Sequence, residues 1–291
     1  MDYLHQLEKA VIFIENNLDQ TIRVEEVADI VGYSYYHFHR VFEAVLGESI
    51  GNYIRTRRLN RAANALLYTD NKVLDIAIQY QFETQESFSR AFKKIYSVSP
   101  GTYRKNRINT MIGNKKELTV DHLKHIYEGV TIHPVICQVK EKKLAGMRFQ
   151  TSLRNNTLIG AWESFGNRVG EIKNRTEHWE CYGICEASPD FEIIEFDENT
   201  ISNHFIGTEV SSFDELPQGM VGKKFCGGKY AVFTHKGKIE TLKMTYDYIW
   251  GTWLLCSGAE IDHRDDFELY DERFLGADNS RSEIDIYIPL K

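Results

Sequence analysis

Residues 73–104 read VLDIAIQYQFETQESFSRAFKKIYSVSPGTYR, and the pattern in this stretch decides the fold of the chain. Leu74, Ala77 and Ile78 follow the i, i+3, i+4 spacing of one short helix. A turn follows, and Thr84 is placed to cap a second helix. One stripe of this second helix is apolar: Phe88, Ala91, Phe92 and Ile95. Its other face is polar and cationic: Gln85, Glu86, Ser89, Arg90, Lys93 and Lys94.

Two short helices about a tight turn form a helix-turn-helix. The second helix of such a unit can enter the major groove of DNA, where Gln and Arg side chains reach base edges. The alternative is a helical hairpin with a solvated charged face, and a single copy of the pattern favours that alternative.

The pattern occurs a second time, fifty residues earlier. Corresponding residues are Ser34 and Thr84, Phe38 and Phe88, Arg40 and Arg90, and Phe42 and Phe92. A repeat this regular indicates duplicated supersecondary units. Two similar recognition helices in one chain can read two adjacent major-groove segments, ~34 Å apart. We therefore expect one monomer to bind an asymmetric site.

The first hundred residues are predicted to be all helical, with helices at 3–17, 24–31, 35–46 and 50–67 before the stretch quoted above. The residues that we expect to contact DNA are Tyr36, His39, Arg40, Arg55, Gln85, Glu86, Ser89, Arg90 and Lys93. Simpler roles stay open for three of them. His39 can be a surface histidine, Tyr36 can cover core, and Glu86 can be a favourable charge at a helix N-terminus.

Charge is unevenly distributed along the chain, whose net charge is −7. Residues 1–107 hold 14 basic and 13 acidic side chains, a net charge of +1, so the remainder carries −8. Two clusters in the first part are strongly basic: Arg90 to Arg107, and Arg55, Arg57, Arg58 and Arg61. Such clusters suit phosphate contacts, whereas the acidic remainder should not touch DNA.

The chain of 291 residues is long enough for two domains. It has no apolar run long enough to span a membrane and no signal peptide, so we expect a cytoplasmic protein. Its five cysteines are widely spread and predict no metal site. Neither a phosphate-binding glycine loop nor a zinc-protease motif occurs, so no cofactor and no enzymatic activity are expected.

The first hundred residues resemble the DNA-binding domain of the AraC/XylS transcription regulators. The resemblance is carried by residues 24–42 (VEEVADIVGYSYYHFHRVF), by residues 47–67 and by the stretch quoted first. It is strongest to the Rob-like members, which carry this domain at the N-terminus. Two positions depart from the family pattern, because Gln81 and Ser97 stand where glycine is common. Gln81 suggests that its turn avoids positive φ.

Residues 108–130 are predicted to be a linker, containing a short helix or strand. Residues 131–291 have a mixed pattern that predicts an α+β domain of duplicated strand–helix–strand units. This half resembles the GyrI-like effector-binding domain, through GGKYAVFTHKG, YDYIWGTWLLCSG, DFELY and IDIYIPL. The resemblance implies a curved sheet with two helices and a small hydrophobic or cationic effector.

By the same resemblance, Glu268 is the pocket carboxylate. Tyr270 lies two residues further along the same strand and therefore on the same face. Trp162 and Tyr182 are candidate wall residues. A carboxylate among aromatic rings suits a cation, which is attracted by the charge and by the ring faces.

The resemblance also implies a transcription activator that contacts RNA polymerase. Two alternatives remain at this stage. The C-terminal half can be a hydrolase with Glu268 as general base, although no nucleophile–histidine–acid set is visible. Alternatively, the protein is an architectural DNA binder without an effector.

Overall fold

A computed structural model describes residues 3–108, 113–152, 154–176, 179–187 and 199–291 of the chain. The described residues form two compact units. The first contains the chain up to Ile132 together with Lys243–Gly258, and the second contains the remainder from His133 onward. No helix in the described part is long and apolar enough to cross a membrane.

The first unit is helical. Its helices are α1 Tyr3–Asn16, α2 Val24–Ile30, α3 Tyr35–Leu46, α4 Ile50–Tyr68, α5 Val73–Gln79, α6 Gln85–Tyr96, α7 Pro100–Asn106 and α8 Val120–Lys124. A π-helical turn, His125–Gly129, follows α8. The unit also holds most of a broken helix, which runs through α10 Leu242–Tyr248, a π-helical turn Ile249–Trp253, and α11 Leu254–Ser257.

The predicted pair of helix-turn-helix units, α2–α3 and α5–α6, is confirmed. Both recognition helices begin at the predicted caps, because Ser34 accepts from the His37 amide and Thr84 from the Ser87 amide. In each helix two phenylalanines are fully buried four residues apart: Phe38 and Phe42, and Phe88 and Phe92. These ring pairs fix which face of each recognition helix points outward.

The short helix predicted from Leu74, Ala77 and Ile78 is present as α5, but only Ala77 of these three residues is buried. Leu74 and Ile78 are 44% and 57% exposed, whereas Ile76 and Ala77 are fully buried against the cluster that contains Phe88. A seven-residue helix has about two turns, so only a narrow face of α5 packs against the neighbouring helices α4 and α6. The buried face is centred on Ile76 and Ala77, so it includes only one of the three i, i+3, i+4 residues.

The expectation that the turn at Gln81 avoids positive φ is also wrong. Gln81 has φ 63° and Ser97 has φ 60°, so both adopt the left-handed conformation that glycine provides elsewhere in the family pattern. The Gln81 side chain offsets part of this cost, because its amide donates to the Asp19 carbonyl at 2.8 Å. Ser97 is the C-cap of α6 and corresponds to Gly47 at the end of α3.

A buried ion pair lies at the centre of the first unit. Arg57 of α4 donates to both carboxylate oxygens of Glu15 in α1, at 2.7 and 2.8 Å, and both residues are more than nine-tenths buried. The Tyr53 hydroxyl donates to Glu15 at 2.9 Å, and the remaining Arg57 nitrogen donates to Asn60 and to the Lys115 carbonyl. Burial acts to raise the pKa of Glu15, but the hydrogen bonds and charge of Arg57 hold it below its ordinary value.

A second buried pair joins the segment after α7 to the turn between α3 and α4. Lys115 is 2% exposed and is paired with Glu48, and it donates to the Thr252 hydroxyl at 2.8 Å. Residues 113–130 of the predicted linker are therefore part of the first unit, and residues 109–112 lie outside the described residues. The His125 ring bonds the Thr245 hydroxyl at 2.7 Å, which holds the broken helix at a second point.

The second unit is an α+β unit with one eight-stranded antiparallel sheet in its described residues. Its strands are β1 Val135–Val139, β2 Lys142–Thr151, β3 Cys181–Cys185, β4 Ser202–Glu209, β5 Val221–Phe225, β6 Gly228–Lys236, β7 Asp266–Tyr270 and β8 Glu283–Pro289. The strand order is β1-β6-β8-β7-β3-β4-β2-β5. Each of the first four strands, β1 to β4, has its counterpart among β5 to β8, four strands later in the chain, at the same distance from the opposite edge of the sheet. This pseudo-two-fold order confirms the predicted duplication.

Each face of the sheet carries its own core. On one face, α9 Leu158–Arg168 packs its buried Phe165 with Ile206 and Ile284. The opposite face carries a largely aromatic cluster that includes Phe205, Tyr230 and Phe267. Side chains alternate between these faces along each strand, so a residue's position in the strand register decides which cluster it joins.

We expect Glu15→Gln and Arg57→Met each to lower the free energy of unfolding by about 3–5 kcal/mol, because each leaves one buried charged partner unsatisfied. The double variant should lose less than the sum. Arg55→Met is the matched control on the same helix; Arg55 is exposed, so a change above about 0.5 kcal/mol would be surprising. Urea denaturation measures all four. Equal effects for Arg55 and Arg57 would contradict the role given to the ion pair.

The same pair predicts a pH dependence. The folded pKa of Glu15 lies below its ordinary 4.5, so the stabilisation is complete above that pH and is lost as pH falls through the folded pKa. Glu15→Gln should therefore flatten the acid part of the curve of unfolding free energy against pH. A variant curve parallel to that of the unmodified protein below pH 4.5 would exclude this contribution.

Exchanging the C-cap residues of the two recognition helices, Gly47 and Ser97, should change the stability of the protein in opposite directions. Ser97→Gly should stabilise the protein by about 0.5–1 kcal/mol, because it removes left-handed strain that exceeds the added freedom of the unfolded chain. Gly47→Ser should destabilise by more than about 1 kcal/mol, since it adds that strain and places a Cβ against the Tyr248 hydroxyl. Thermal unfolding of both variants checks the signs, and two shifts of the same sign would refute the argument.

Candidate DNA-binding surface and effector site

The two recognition helices present matched positions. Both contain twelve residues, and both are capped by a hydroxyl that accepts from the amide three residues on. Offsets from the cap are therefore equivalent, so that Arg40 and Arg90 occupy the same place in α3 and α6. Both arginines are exposed, on the face opposite the buried phenylalanine pairs.

The outward face of α3 is aromatic. Tyr36 is 79% exposed, and its ring meets that of Tyr35 edge-on at 5.4 Å. Tyr35 in turn contacts the His39 ring at 5.1 Å, which leaves His39 half-buried. The alternative that Tyr36 covers core does not fit this exposure. The rings of Tyr35, Tyr36 and His39 thus form a continuous aromatic surface beside Arg40.

The outward face of α6 is polar. Gln85, Glu86, Arg90 and Lys93 are exposed, whereas Ser89 is half-buried. The N-terminal cap uses Ser87, whose hydroxyl accepts from the Thr84 amide at 3.3 Å while the Thr84 hydroxyl accepts from the Ser87 amide at 3.0 Å. Both basic residues of the last turn, Lys93 and Lys94, suit the negative end of the helix dipole as well as a phosphate.

The predicted arginine cluster on α4 is only partly available for phosphate contacts. Arg57 is buried with Glu15, and Arg58 donates to the carbonyls of Leu18 and Gln20. Arg61 donates to Glu117 at 3.2 Å, so it also has a carboxylate partner. Arg55 is exposed and remains the residue of this cluster that we expect at a phosphate. Sequence reasoning missed the distinction because the partners lie 38 to 56 residues away in the chain.

Three of the four predicted effector residues come together on one face of the second unit. The Tyr270 hydroxyl donates to Glu268 Oε2 at 2.7 Å, and the Trp162 and Tyr270 rings lie 4.5 Å apart. Gly183 pairs with Glu268 across the central strands, and a Cβ there would lie 3.0 Å from Trp162 and 3.4 Å from the carboxylate. Burial, reinforced by Glu268, raises the pKa of Tyr270 well above its ordinary value, so this hydroxyl stays protonated.

Tyr182 is not part of this group. It pairs with Leu269 and lies on the opposite face, with Phe205 and Phe267. Its ring is 2% exposed, and its hydroxyl donates to Glu180. A strand turns successive side chains to opposite faces, so the residue that faces Glu268 is the neighbouring Gly183.

Sequence reasoning also missed Asp266, which shares the face of Glu268 two residues away in β7. Burial, with smaller contributions from the charges of Glu268 and Asp265, raises the pKa of Asp266 to about 7. Cys185 pairs with Asp266 across the strands, and burial raises the pKa of its thiol well above the ordinary value. This face therefore holds one acid that titrates near neutral pH.

Two protein families match the chain. The integron-associated effector binding protein family matches residues 135–290, and a helix-turn-helix domain family matches residues 27–106. The first match covers the sheet of the second unit with the broken helix, and the second covers both helix-turn-helix units.

Similar proteins are transcriptional regulators. Transcriptional regulator Rob of Salmonella typhimurium is 30% identical over 242 residues, which are 81% of this chain and 80% of that protein. Uncharacterized HTH-type transcriptional regulator YbfP of Bacillus subtilis is 47% identical over 104 residues, 36% of this chain and 35% of that protein. Among solved structures, an integron cassette protein of Vibrio cholerae is 16% identical over 56% of this chain and 97% of that chain, with a TM-score of 0.40.

Proposed function

The chain belongs to the AraC/Rob-type family of transcriptional regulators, and from that premise we propose that it binds, as a monomer, an asymmetric DNA site of two major-groove segments. The observation that carries the proposal is the matched exposure of Arg40 and Arg90 on two equally capped helices. Arginine to guanine is the commonest specific contact in the major groove. Tyr36, His39, Gln85, Glu86 and Ser89 lie beside these arginines, and Arg55 and Lys93 contact phosphates.

Arg40→Ala should cost about 1–3 kcal/mol on the best site selected from random DNA and relax specificity at one position. Arg55→Ala is the matched control, because a phosphate contact should be lost equally on specific and random duplexes. It should also reduce the salt slope of binding by about one. Fluorescence anisotropy at several salt concentrations measures both. Equal losses on the two duplexes for Arg40→Ala would show that Arg40 contacts phosphate alone.

The second unit binds a small lipophilic cation beside Glu268. Support comes from the carboxylate of Glu268, held by Tyr270 and flanked by the Trp162 ring, which supplies both charge and a ring face. The absence of a side chain at Gly183 lets the Trp162 ring and the Glu268 carboxylate approach each other at this point of the central strand pair. In this proposal Tyr182 supports the opposite core and has no contact with the ligand.

In this proposal, the ligand bound to the second unit affects transcription through the broken helix, which lies between β6 and β7 in the sequence. Lys243–Gly258 belongs to the first unit, whereas β6 before it and β7 after it belong to the second. β7 carries Glu268, and the broken helix is held in the first unit by Thr245 and Thr252. The ligand must bind one arrangement of this helix better than another, since otherwise it shifts nothing. We propose that the protein is an activator and that the ligand changes its contact with RNA polymerase. Recognition of DNA bases should stay the same.

Glu268→Gln should weaken binding of tetraphenylphosphonium, a lipophilic cation, by about tenfold or more, because it removes the charge and keeps the shape. Affinity in the unmodified protein should rise between pH 6 and pH 8 as Asp266, whose pKa is about 7, becomes charged. Isothermal titration calorimetry of the full chain measures both.

Glu180→Gln is the matched control, because Glu180 bonds Tyr182 on the other side of the sheet and should leave cation affinity unchanged. DNA affinity should be the same in all three proteins. Equal cation affinity of the Glu268 variant and the unmodified protein would place the site elsewhere or make the ligand neutral.

A further inference from the structure

On their outward faces the two reading helices share one residue and differ at the others. Arg40 and Arg90 correspond, whereas Tyr36 corresponds to Glu86. Both variable residues lie in the first turn of their helix, four residues before the shared arginine and on the same outward face. The N-terminal turn of a recognition helix is the part that contacts base edges. A difference between the two DNA segments is therefore expected at this position.

Glu86 is not needed to cap its helix. The capping box of α6 is formed by the hydroxyls of Thr84 and Ser87, which satisfy each other's amide groups. The Glu86 side chain is exposed, beside the outward arginine. A carboxylate here would be repelled by phosphates, so a role in non-specific binding is excluded. Its exposure makes it accessible to a hydrogen-bond donor on a base edge.

The chemistry of the major groove restricts which base this is. An ionised carboxylate only accepts hydrogen bonds, and two bases offer an amino donor in this groove, cytosine through N4 and adenine through N6. The adenine donor lies next to the N7 acceptor, which repels a carboxylate, whereas cytosine presents no acceptor there. We propose, on the basis of the function proposed above, that Glu86 selects cytosine in the second segment, beside the base read by Arg90.

The corresponding residue of the first helix selects a different base. Tyr36 presents an exposed ring, steadied edge-on by Tyr35, and offers apolar contact. The apolar feature of the major groove is the thymine methyl group. The first segment therefore has thymine where the second has cytosine, and the protein reads its site in one direction only.

Binding-site selection from random duplexes with the full-length protein tests this. The unmodified protein should select cytosine at one position of the second segment, by about tenfold over other bases. Glu86→Gln should shift that position to adenine, because the glutamine amide both donates to N7 and accepts from N6. The first segment should stay unchanged. Tyr36→Ala is the matched control at the equivalent position, and it should relax the thymine preference of the first segment alone.

The outcomes separate this inference from the function on which it rests. If the unmodified protein selects no sequence, the proposed function fails. If it selects a two-segment site and Glu86→Gln keeps cytosine at every position, only the inference fails. A uniform change in affinity for all sequences would make Glu86 a charge that stabilises the helix dipole. Glu86→Ala should abolish the cytosine preference without creating one for adenine, and thermal unfolding confirms that each variant is folded.

Discussion

The first unit depends on the burial of the Arg57 guanidinium. Two charges taken out of water cost several kcal/mol each, and only good geometry repays that cost. Glu15 supplies two oxygens, and Tyr53, Asn60 and the Lys115 carbonyl complete the network. This network therefore links helix α1, helix α4 and the segment after α7 through directional hydrogen bonds. This interaction therefore helps to fix the position of α4, which connects the two helix-turn-helix units.

The sequence distance between interacting residues explains which features of the helices could be predicted from the sequence. Hydroxyl caps and paired phenylalanines act within twelve residues, so they predicted both recognition helices correctly. Arg57, Arg58 and Arg61 looked like surface cations because their partners are distant in the chain. Leu74 and Ile78 matched a helical period, but the helix is too short for the period to decide burial. Local signals were sufficient where the interaction is local.

In the second unit, strand register decides the site. The duplicated sheet was predictable from strand and helix order, but the pairing of β3 with β7 was not. That pairing sets Gly183 beside Glu268 and sends Tyr182 to the opposite core. An error of one position in register exchanges the faces of every side chain in a strand. Aromatic composition alone therefore could not distinguish Trp162, which lies beside Tyr270, from Tyr182, which does not.

Both units are duplications in which the supporting residues are repeated and some of the residues at the candidate sites differ between the repeats. The helix-turn-helix pair repeats its caps and its buried phenylalanines, and differs where Tyr36 corresponds to Glu86. In the sheet, the pseudo-two-fold relation places Gly183 opposite Glu268 at the middle of the central strand pair. A side chain at 183 would crowd Trp162 and the carboxylate, so the glycine in one repeat is what allows the acid in the other to be flanked by a ring. In the sheet, asymmetry between the repeats thus makes the candidate effector site possible, because a symmetric pair of carboxylates at this axis would repel each other and leave no room for the ring.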